Sequence, residues 1–235
     1  MPDEGCVLIS SDYHQIELRM LADMADETSL IEAFNEGIDI HTKTAMDVFG
    51  VSLDDVTPEM RRRAKTVNFG IVYGISDFGL SQQLNISRRE AAEFIEQYYK
   101  SYPKIRTYMN SVVEFCEKNG YVETLMGRRR EIPEIKDKNR QVREFGRRAA
   151  MNAPIQGSAA DLIKLAMINI YRRMQEAGVR SRMILQVHDE LIFNVPEDEI
   201  EQMTKLIEEG MTQAMKLKVP LTVECSVGKN WYEAK

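Results

Sequence analysis

Acidic residues follow or interrupt apolar runs at two distant places in the chain. Asp12 follows the apolar run CVLIS after one further serine, and Asp189 and Glu190 lie inside LQVHDELIF, between two further apolar runs. Charged groups lose free energy when they are buried without partners, so we interpret the second segment as a hairpin whose turn carries His188, Asp189 and Glu190. Mg²⁺ typically takes one or two carboxylates and completes its shell with water and substrate phosphates. If the first strand pairs beside the hairpin, Asp12 and Asp189 can bind two ions that stabilise a phosphoryl displacement.

The positions of these acids alone leave a simpler interpretation open. Asp12 can cap the helix that begins near Gln15, and Asp189 and Glu190 can be ordinary turn residues. The cations and amides elsewhere in the chain help to decide between a metal site and ordinary cap and turn residues.

Cations and aromatic rings recur at helical spacing in the segment RRRAKTVNFGIVYG. Four of them are each four residues apart: Arg61, Lys65, Phe69 and Tyr73. On a helix they form one stripe about 18 Å long, running from two cations to two rings. An extended nucleoside triphosphate has matching groups in the same order, with phosphates at one end and a stackable base at the other. The sequence has no G-x-x-x-x-G-K-[ST] loop, so Arg, Lys and metal ions would hold the phosphates. A helix with a basic surface start and a buried aromatic end remains the alternative.

A third pattern lies in RRAAMNAPIQGSAAD, where Arg148, Asn152 and Gln156 are four residues apart. Amide side chains on a surface of small residues can donate to the minor-groove acceptors that every base pair offers. Arg148 can contact a backbone phosphate. A capped and kinked helix junction explains the same residues equally well.

Composition limits the classes of function. The 235 residues carry a net charge of −6, but the runs RRRAK and GRRR concentrate positive charge, so a basic nucleic-acid groove is compatible with the total. The sequence contains no run of about 18 apolar residues, so no membrane span is predicted. The three cysteines are widely spaced and form no zinc or disulfide pattern, which favours a reducing, cytoplasmic setting.

The predicted elements indicate an α+β fold. Strands are expected at both ends of the chain, and residues 51–135 are almost entirely helical in pattern. Apolar spacing predicts helix from Ile16 to about Phe34 and from about Glu197 to Leu217. A long helical pattern covers about 139–177, and we expect Pro154 to kink or split it.

Three separated segments, SDYHQIELR, RRRAKTVNFGIVYG and QVHDEL, together resemble the polymerase motifs of family A DNA polymerases. MNAPIQGSAAD and the final GKNWYEAK resemble further elements of that family, so the resemblance covers essentially the whole chain in order. It implies a small antiparallel palm sheet packed with helices and a mostly helical fingers insertion. On this basis we predict palm at residues 1–50 and 136–235, and fingers at 51–135.

The resemblance also implies a role for individual residues. Asp12 and Asp189 match the two metal-binding aspartates, Glu190 matches the neighbouring acid, and Lys65 matches the lysine proposed as general acid for pyrophosphate release. The dNTP contacts that it implies are Arg61 and His41 at the triphosphate, Phe69 at the sugar 3′ group, Tyr73 beside the templating site, and Glu17 with Gln15 at the sugar 2′ position. The implied primer–template contacts are Arg148, Asn152, Gln156 and His188.

The implied activity is template-directed transfer of dNMP from a dNTP to a primer 3′-hydroxyl, as in DNA replication and repair, with two Mg²⁺ ions or Mn²⁺ in their place. The family's thumb and first palm segment would precede residue 1, so we expect a piece of a longer polymerase. A weakly active or inactive fragment that only binds dNTP or DNA is the alternative, and a metal-dependent phosphohydrolase is a third class. His14 stands where the motif usually has serine, and if strand alternation continues we expect its side chain to point away from the metals.

Overall fold

Helices make up most of the chain, and the strands of the larger sheet lie near its two ends. The computed structural model describes residues 1–234. In chain order the helices and strands are β1 (Cys6–Tyr13), α1 (Ile16–Met24), α2 (Thr28–Asn35), α3 (Ile40–Phe49), α4 (Pro58–Val72), α5 (Asp77–Leu84), α6 (Arg88–Ser101), α7 (Pro103–Asn119), β2 (Tyr121–Glu123), β3 (Arg129–Glu131), α8 (Arg140–Ala177), β4 (Arg182–Val187), β5 (Glu190–Pro196), α9 (Ile200–Thr212) and β6 (Val223–Gly228).

The larger sheet has four strands in the order β4-β5-β1-β6, and all neighbouring strands are antiparallel. β1 is therefore central, although it is the first strand of the chain. β2 and β3 form a separate two-stranded hairpin, as YVETLMGRRREI predicts. An antiparallel sheet with helices in separate stretches of chain is an α+β fold, which confirms the predicted class.

The chain divides into two compact units, and the first joins Met1–Ile16 to the chain from Ala159 onward. It contains the larger sheet and α9. On one face of the sheet Ile9, Leu191 and Phe193 are fully buried. The hydroxyl of Tyr13, on the same face, donates to the carbonyl of Met211 at 2.8 Å, which ties β1 to the end of α9.

The second unit is Glu17–Ser158, and its helix ends follow local sequence signals. Asp39 caps α3 by accepting from the amide of Thr42, and Thr57 caps α4 in the same way. Ser87 and Glu90 form a capping box at the start of α6, as the Ser-x-x-Glu spacing predicts. Such boundaries are predictable from the sequence, because capping depends on residues only three or four positions apart.

The structure differs from prediction at three helices. The helix predicted from 16 to 34 is two helices, because Asp26 has a positive φ of 51° and Glu27 is buried, accepting from the amide of Lys104 at 3.0 Å. α9 ends at Thr212 rather than near Leu217. Of the two outcomes predicted at Pro154, a kink or a split, the split does not occur, because α8 is continuous over 38 residues. The cost of an interior proline is about 3 kcal/mol, and burial of the flanking apolar side chains offsets it.

None of the helices in residues 1–234 combines the length and the apolar character that a membrane crossing requires.

Candidate active site

β1, β5 and β6 place three carboxylates side by side on one face of the larger sheet. Asp12 is directly opposite Glu190 of β5 and directly opposite Glu224 of β6. Opposite residues of antiparallel strands point to the same face, and their Cβ atoms are about 5 Å apart. The apolar side chains of Ile9 and Leu191 belong to the other, buried face. Strand alternation alone therefore separates the acids from the core.

The turn between β4 and β5 brings a fourth acid to this group. It consists of His188 and Asp189, and His188 adopts a positive φ of 54°. The predicted hairpin is confirmed, but Glu190, which was predicted to lie in its turn, is the first residue of β5. The carbonyl of Asp189 accepts from the amide of Tyr13 at 3.4 Å, which connects the turn to the end of β1. A cavity of about 360 Å³ is lined here by Ser10, Asp12, Val187, His188, Asp189, Glu190, Glu224, Ser226 and Ala234.

The carboxylates in this cavity repel one another. Partial burial of Asp12, together with the negative charges of Asp189 and Glu190, raises the pKa of Asp12 to about 6. A cation bound among clustered carboxylates offsets their mutual repulsion. The electrostatics of the cavity therefore favour a bound cation.

The donor set fits a hard divalent ion such as Mg²⁺. Carboxylate oxygens are its preferred protein ligands, and it usually takes only one or two of them beside water and phosphate. Within residues 1–234, no group of three or more His, Cys, Asp or Glu side chains is arranged so that it could hold a metal ion. Asp12 and Asp189 would therefore supply only part of the ligands of such an ion, with water and a phosphate-bearing substrate supplying the other oxygens.

Glu190 is anchored by two donors on a single oxygen. The hydroxyl of Ser10 and the indole Nε1–H of Trp231 both donate to Glu190 Oε1, the latter at 2.7 Å. Glu190 is therefore held on the same face as Asp12 by residues from β1 and from the chain after β6. Neither Ser10 nor Trp231 was predicted as a site residue, because nothing in the local sequence pairs them with Glu190.

The orientation of His14 away from the metals stays a prediction, although the structure places its imidazole near one of the acids, Glu224. Strand alternation places residues two apart on the same face, and β1 ends at Tyr13. The amide of His14 donates to the carbonyl of Thr222 at 2.9 Å. Its Nε2 then lies 3.7 Å from a carboxylate oxygen of Glu224. His14 is thus part of the charged surroundings of Asp12, and its charge acts to lower the pKa of that residue.

Within the second unit, α4 carries the predicted cationic and aromatic stripe, and Arg61 is held at its start. Nε and Nη2 of Arg61 donate to the two carboxylate oxygens of Asp39 at 2.7 and 3.1 Å. Burial acts to raise the pKa of Asp39, but hydrogen bonds from Arg61 and Thr42 outweigh it and hold that pKa well below its usual range. Asp39 thus caps α3 and also orients Arg61, a pairing that the sequence did not reveal because the two residues are distant in the chain.

His41 is buried next to the stripe, and its ring centroid is 5.8 Å from that of Phe69. Its Nδ1 lies 3.1 Å from the side-chain amide nitrogen of Asn68, which donates to it. Burial, with the positive charges of Arg61 and Lys65, lowers the pKa of His41 to about 4. At neutral pH the imidazole is therefore uncharged, and it can serve a triphosphate as a hydrogen-bond donor but not as a cation.

A cavity of about 550 Å³ follows the stripe and is lined by Arg62, Lys65, Thr66, Phe69, Gly70, Tyr73, Ile75, Ser76, Gly79, Gln83 and Arg148. A side chain at Gly70 would meet Ile75, whose Cγ2 would lie 2.8 Å from the added Cβ. The hydroxyl of Tyr73 donates to the carboxylate of Glu17 at 2.9 Å. The structure thus brings the predicted residues Lys65, Phe69, Tyr73 and Arg148 to one cavity and pairs Glu17 with Tyr73.

α8 carries the predicted DNA contacts in a continuous helical row. Asn152 Nδ2 donates to the carbonyl of Val72 at 3.1 Å, at the end of α4. An amide nitrogen has two hydrogens, so this contact leaves Asn152 a second donor. Gln156 is exposed. The role of this row in DNA binding stays a prediction.

Gln15 and His188 belong to the unit that contains the larger sheet. Gln15 has a positive φ of 54° at the junction between β1 and α1. His188 is exposed, and its backbone carbonyl accepts from the side chain of Gln186 at 2.8 Å. Both residues therefore lie between regular elements, and their side chains would make the predicted contacts with nucleotide and DNA from these connecting positions.

Comparison with known proteins places the chain in a family. The model of DNA polymerase family A matches residues 1–233. DNA polymerase I of Bacillus caldotenax is 56% identical over 236 residues, covering 100% of this chain and 27% of that protein. DNA polymerase I of Bacillus subtilis (strain 168) is 54% identical over 233 residues, covering 99% of this chain and 26% of that protein.

A solved structure agrees with these relatives. The POL domain of Pol1 from M. smegmatis, in complex with DNA primer-template and dNTP, superimposes with a TM-score of 0.95 at 49% identity, covering 99% of this chain and 41% of that chain. The chain spans about a quarter of the length of the curated relatives that it matches. It belongs to DNA polymerase family A.

Proposed function

We propose that this chain carries the nucleotidyl-transfer site of a template-directed DNA polymerase. The 3′-hydroxyl of a primer attacks the α-phosphorus of a dNTP, and pyrophosphate leaves. The observation that carries the proposal is the strand register that sets Asp12 opposite Glu190, with Asp189 in the adjoining turn. Membership of the family supports it, and so does the similarity to a POL domain solved with primer-template and dNTP.

Asp12 and Asp189 are the residues that would hold two divalent ions, Mg²⁺ or Mn²⁺ in its place. Bound ions supply positive charge to the triphosphate and to the attacking and leaving oxygens. Partial burial, together with repulsion from Asp189 and Glu190, raises the pKa of Asp12 to about 6. A cation relieves the repulsion, which supports this assignment. Glu190 adds a third negative charge from its anchored position.

Arg61 and Lys65 bind the triphosphate in this proposal, and Lys65 donates a proton to the departing pyrophosphate. The fork of Arg61 is already oriented by two hydrogen bonds to Asp39. A phosphate can replace a carboxylate on the same two N–H groups, because both anions accept the bidentate geometry. The uncharged imidazole of His41 contributes a donor beside them.

The remaining predicted residues recognise the sugar, the base and the duplex. Tyr73 and Glu17 act as a hydrogen-bonded pair, so a change in either one alters the position of the other. The nucleotide contacts proposed are Phe69, Tyr73, Gln15 and Glu17, and the primer–template contacts are Arg148, Asn152, Gln156 and His188. In this assignment residues 51–135 form fingers, and residues 1–50 and 136–235 form palm.

Primer extension with Mg²⁺ tests the proposal. We expect the wild-type chain to add templated nucleotides, and Asp12→Ala or Asp189→Ala to reduce the rate at least 1,000-fold, since the charge that stabilises the reacting phosphate is lost. Glu201→Ala is the matched control, because it removes an exposed carboxylate of α9. Near-normal extension by either aspartate variant would refute the metal assignment.

A second candidate is a fragment that only binds DNA and dNTP, which the small fraction of the relatives' length favours. It predicts binding of a labelled primer–template without extension in the same wild-type preparation. Release of phosphate from dNTP without any template would instead indicate a phosphohydrolase. Extension that stops when the template is omitted excludes both.

A further inference from the structure

The chain after β6 folds into a closed turn over residues 229–234. Asn230 and Glu233 bond reciprocally: the side-chain amide of Asn230 donates to Glu233 at 2.6 Å, and the amide of Glu233 donates back to Asn230 at 3.1 Å. The amide of Lys229 also donates to the carboxylate of Glu233, at 3.1 Å. These bonds give the segment a defined shape, which we call the tail turn.

The tail turn is seated on the face of the sheet that carries the acids. Ala234 is only 1% exposed and packs in one cluster with Leu8 and Ile192, which lie two residues from Ser10 and Glu190 on β1 and β5. A Cβ on Gly228 would lie 2.5 Å from the backbone nitrogen of Ala234. The glycine therefore permits an approach that any side chain would block.

The position of the tail turn places an indole in the candidate active site. Trp231 lies between the two residues that close the tail turn, and its Nε1–H donates to Glu190 Oε1 at 2.7 Å. The hydroxyl of Ser10 donates to the same oxygen. Hydrogen bonds to an ionised acceptor are about twice as strong as neutral ones, so both donors favour one orientation of the Glu190 carboxylate beside Asp12.

We propose that Trp231 is a positioning residue that fixes one carboxylate oxygen of Glu190 through the seated tail turn and so sets how the Asp12–Asp189 pair takes divalent ions. The proposal rests on the proposed function, since it concerns the same metal site. Among residues 1–234, loss of the indole leaves the hydroxyl of Ser10 as the donor to the Glu190 carboxylate, which can then rotate towards the neighbouring acids. The ion affinity of the site then changes although Asp12 and Asp189 are intact.

Tryptophan fluorescence gives a direct readout, because Trp231 is the single tryptophan of the sequence. We expect Glu190→Ala to shift the emission of the wild-type chain in the absence of metal, since it removes the acceptor of the indole. Titration of the wild type with Mn²⁺ should quench or shift the emission, and the same titration of Asp12→Ala should do so at least fivefold less readily. Identical spectra for wild type and Glu190→Ala would overturn the proposal.

Metal binding by Trp231→Phe supplies the decisive measurement. Unbound Mn²⁺ is followed by its electron paramagnetic resonance signal, and we expect the dissociation constant of Trp231→Phe to differ at least fivefold from that of the wild type. Tyr232→Phe is the matched control, because its side chain is the next aromatic group and is 91% exposed. Equal affinity in Trp231→Phe and wild type, with both folded by circular dichroism, would overturn the proposal.

Extension kinetics separate this inference from the proposed function. In Trp231→Phe we expect the Mg²⁺ concentration for half-maximal extension to move at least fivefold, while the KM for dNTP changes less than twofold. A loss of extension in Asp12→Ala concerns the proposed function alone. If the wild type extends nothing, the proposed activity fails, and the Mn²⁺ and fluorescence results still decide the role of Trp231.

Discussion

Glu199 gives a stability prediction whose size follows from its surroundings. Its carboxylate accepts from the backbone amides of Arg180 and Ser181 and, at 2.6 Å, from the hydroxyl of Ser181. Burial acts to raise the pKa of Glu199, but these bonds outweigh burial and lower the pKa from 4.5 to about 2. The bonds connect the start of β4, which leads to the Asp189 turn, with the turn before α9. We predict that Glu199→Gln loosens this junction and lowers the free energy of unfolding.

The magnitude follows from the pKa difference. One pKa unit corresponds to about 1.4 kcal/mol, so the shift corresponds to about 3 kcal/mol. The side chain is 10% exposed, so we allow for some solvent screening and expect a loss of about 2 kcal/mol at pH 7. Because the folded-state pKa lies below the unfolded value, the stabilisation is present above pH 4.5 and disappears as the pH falls towards 2.

Urea denaturation followed by circular dichroism at several pH values measures this effect. The free energy of unfolding of the wild type should exceed that of Glu199→Gln by the whole expected amount at pH 7, and this difference should shrink steadily below pH 4.5. Asp198→Asn is the control, since its side chain is 71% exposed and its ion pair with Arg180 should contribute less than about 1 kcal/mol. An advantage of the same size at pH 7 and at pH 3 would refute the role of the Glu199 charge.

Three further substitutions test other parts of the structure. Asn68→Ala removes the donor to buried His41 and should lower the free energy of unfolding by about 2 kcal/mol, measured by urea denaturation; an unchanged midpoint would contradict this. Gly146→Ala should destabilise by about 1–3 kcal/mol, because the new Cβ would lie 2.7 Å from the backbone nitrogen of Ile135; a rise in melting temperature would contradict it. Arg61→Ala should raise the KM for dNTP about tenfold or more in primer extension, because a bidentate phosphate contact is lost, and an unchanged KM would exclude Arg61 from the triphosphate site.

Local signals in the sequence predicted the helix ends and the hairpin well. Asp39, Thr57 and Ser87 cap helices through contacts within four residues, so the chain around each cap contains the necessary information. The turn at His188 and Asp189 was predictable because apolar runs flank it on both sides. The assignment of α+β followed from the same patterns.

Contacts between distant residues were not predictable in this way. The break after α1 depends on Glu27 meeting the amide of Lys104, far along the chain. The anchoring of Glu190 by Trp231 depends on how the segment after β6 folds back. Neither contact leaves a periodic or local trace, because each partner is an ordinary residue in its own segment. Residue types and spacing suggested a metal site, a triphosphate site and a minor-groove contact, and the resemblance to a family assigned the individual roles, which stay predictions.

The central place of β1 makes correct strand pairing a condition for the proposed catalytic site. Side chains alternate between the two faces, so a slip of β1 by one residue would turn Asp12 towards the face on which Ile9, Leu191 and Phe193 are fully buried. Such a slip would bury a charge without a partner, which is costly. The sheet therefore rejects misaligned pairings energetically, and a population of folded molecules should not contain a subset with the strands joined but the acids misplaced.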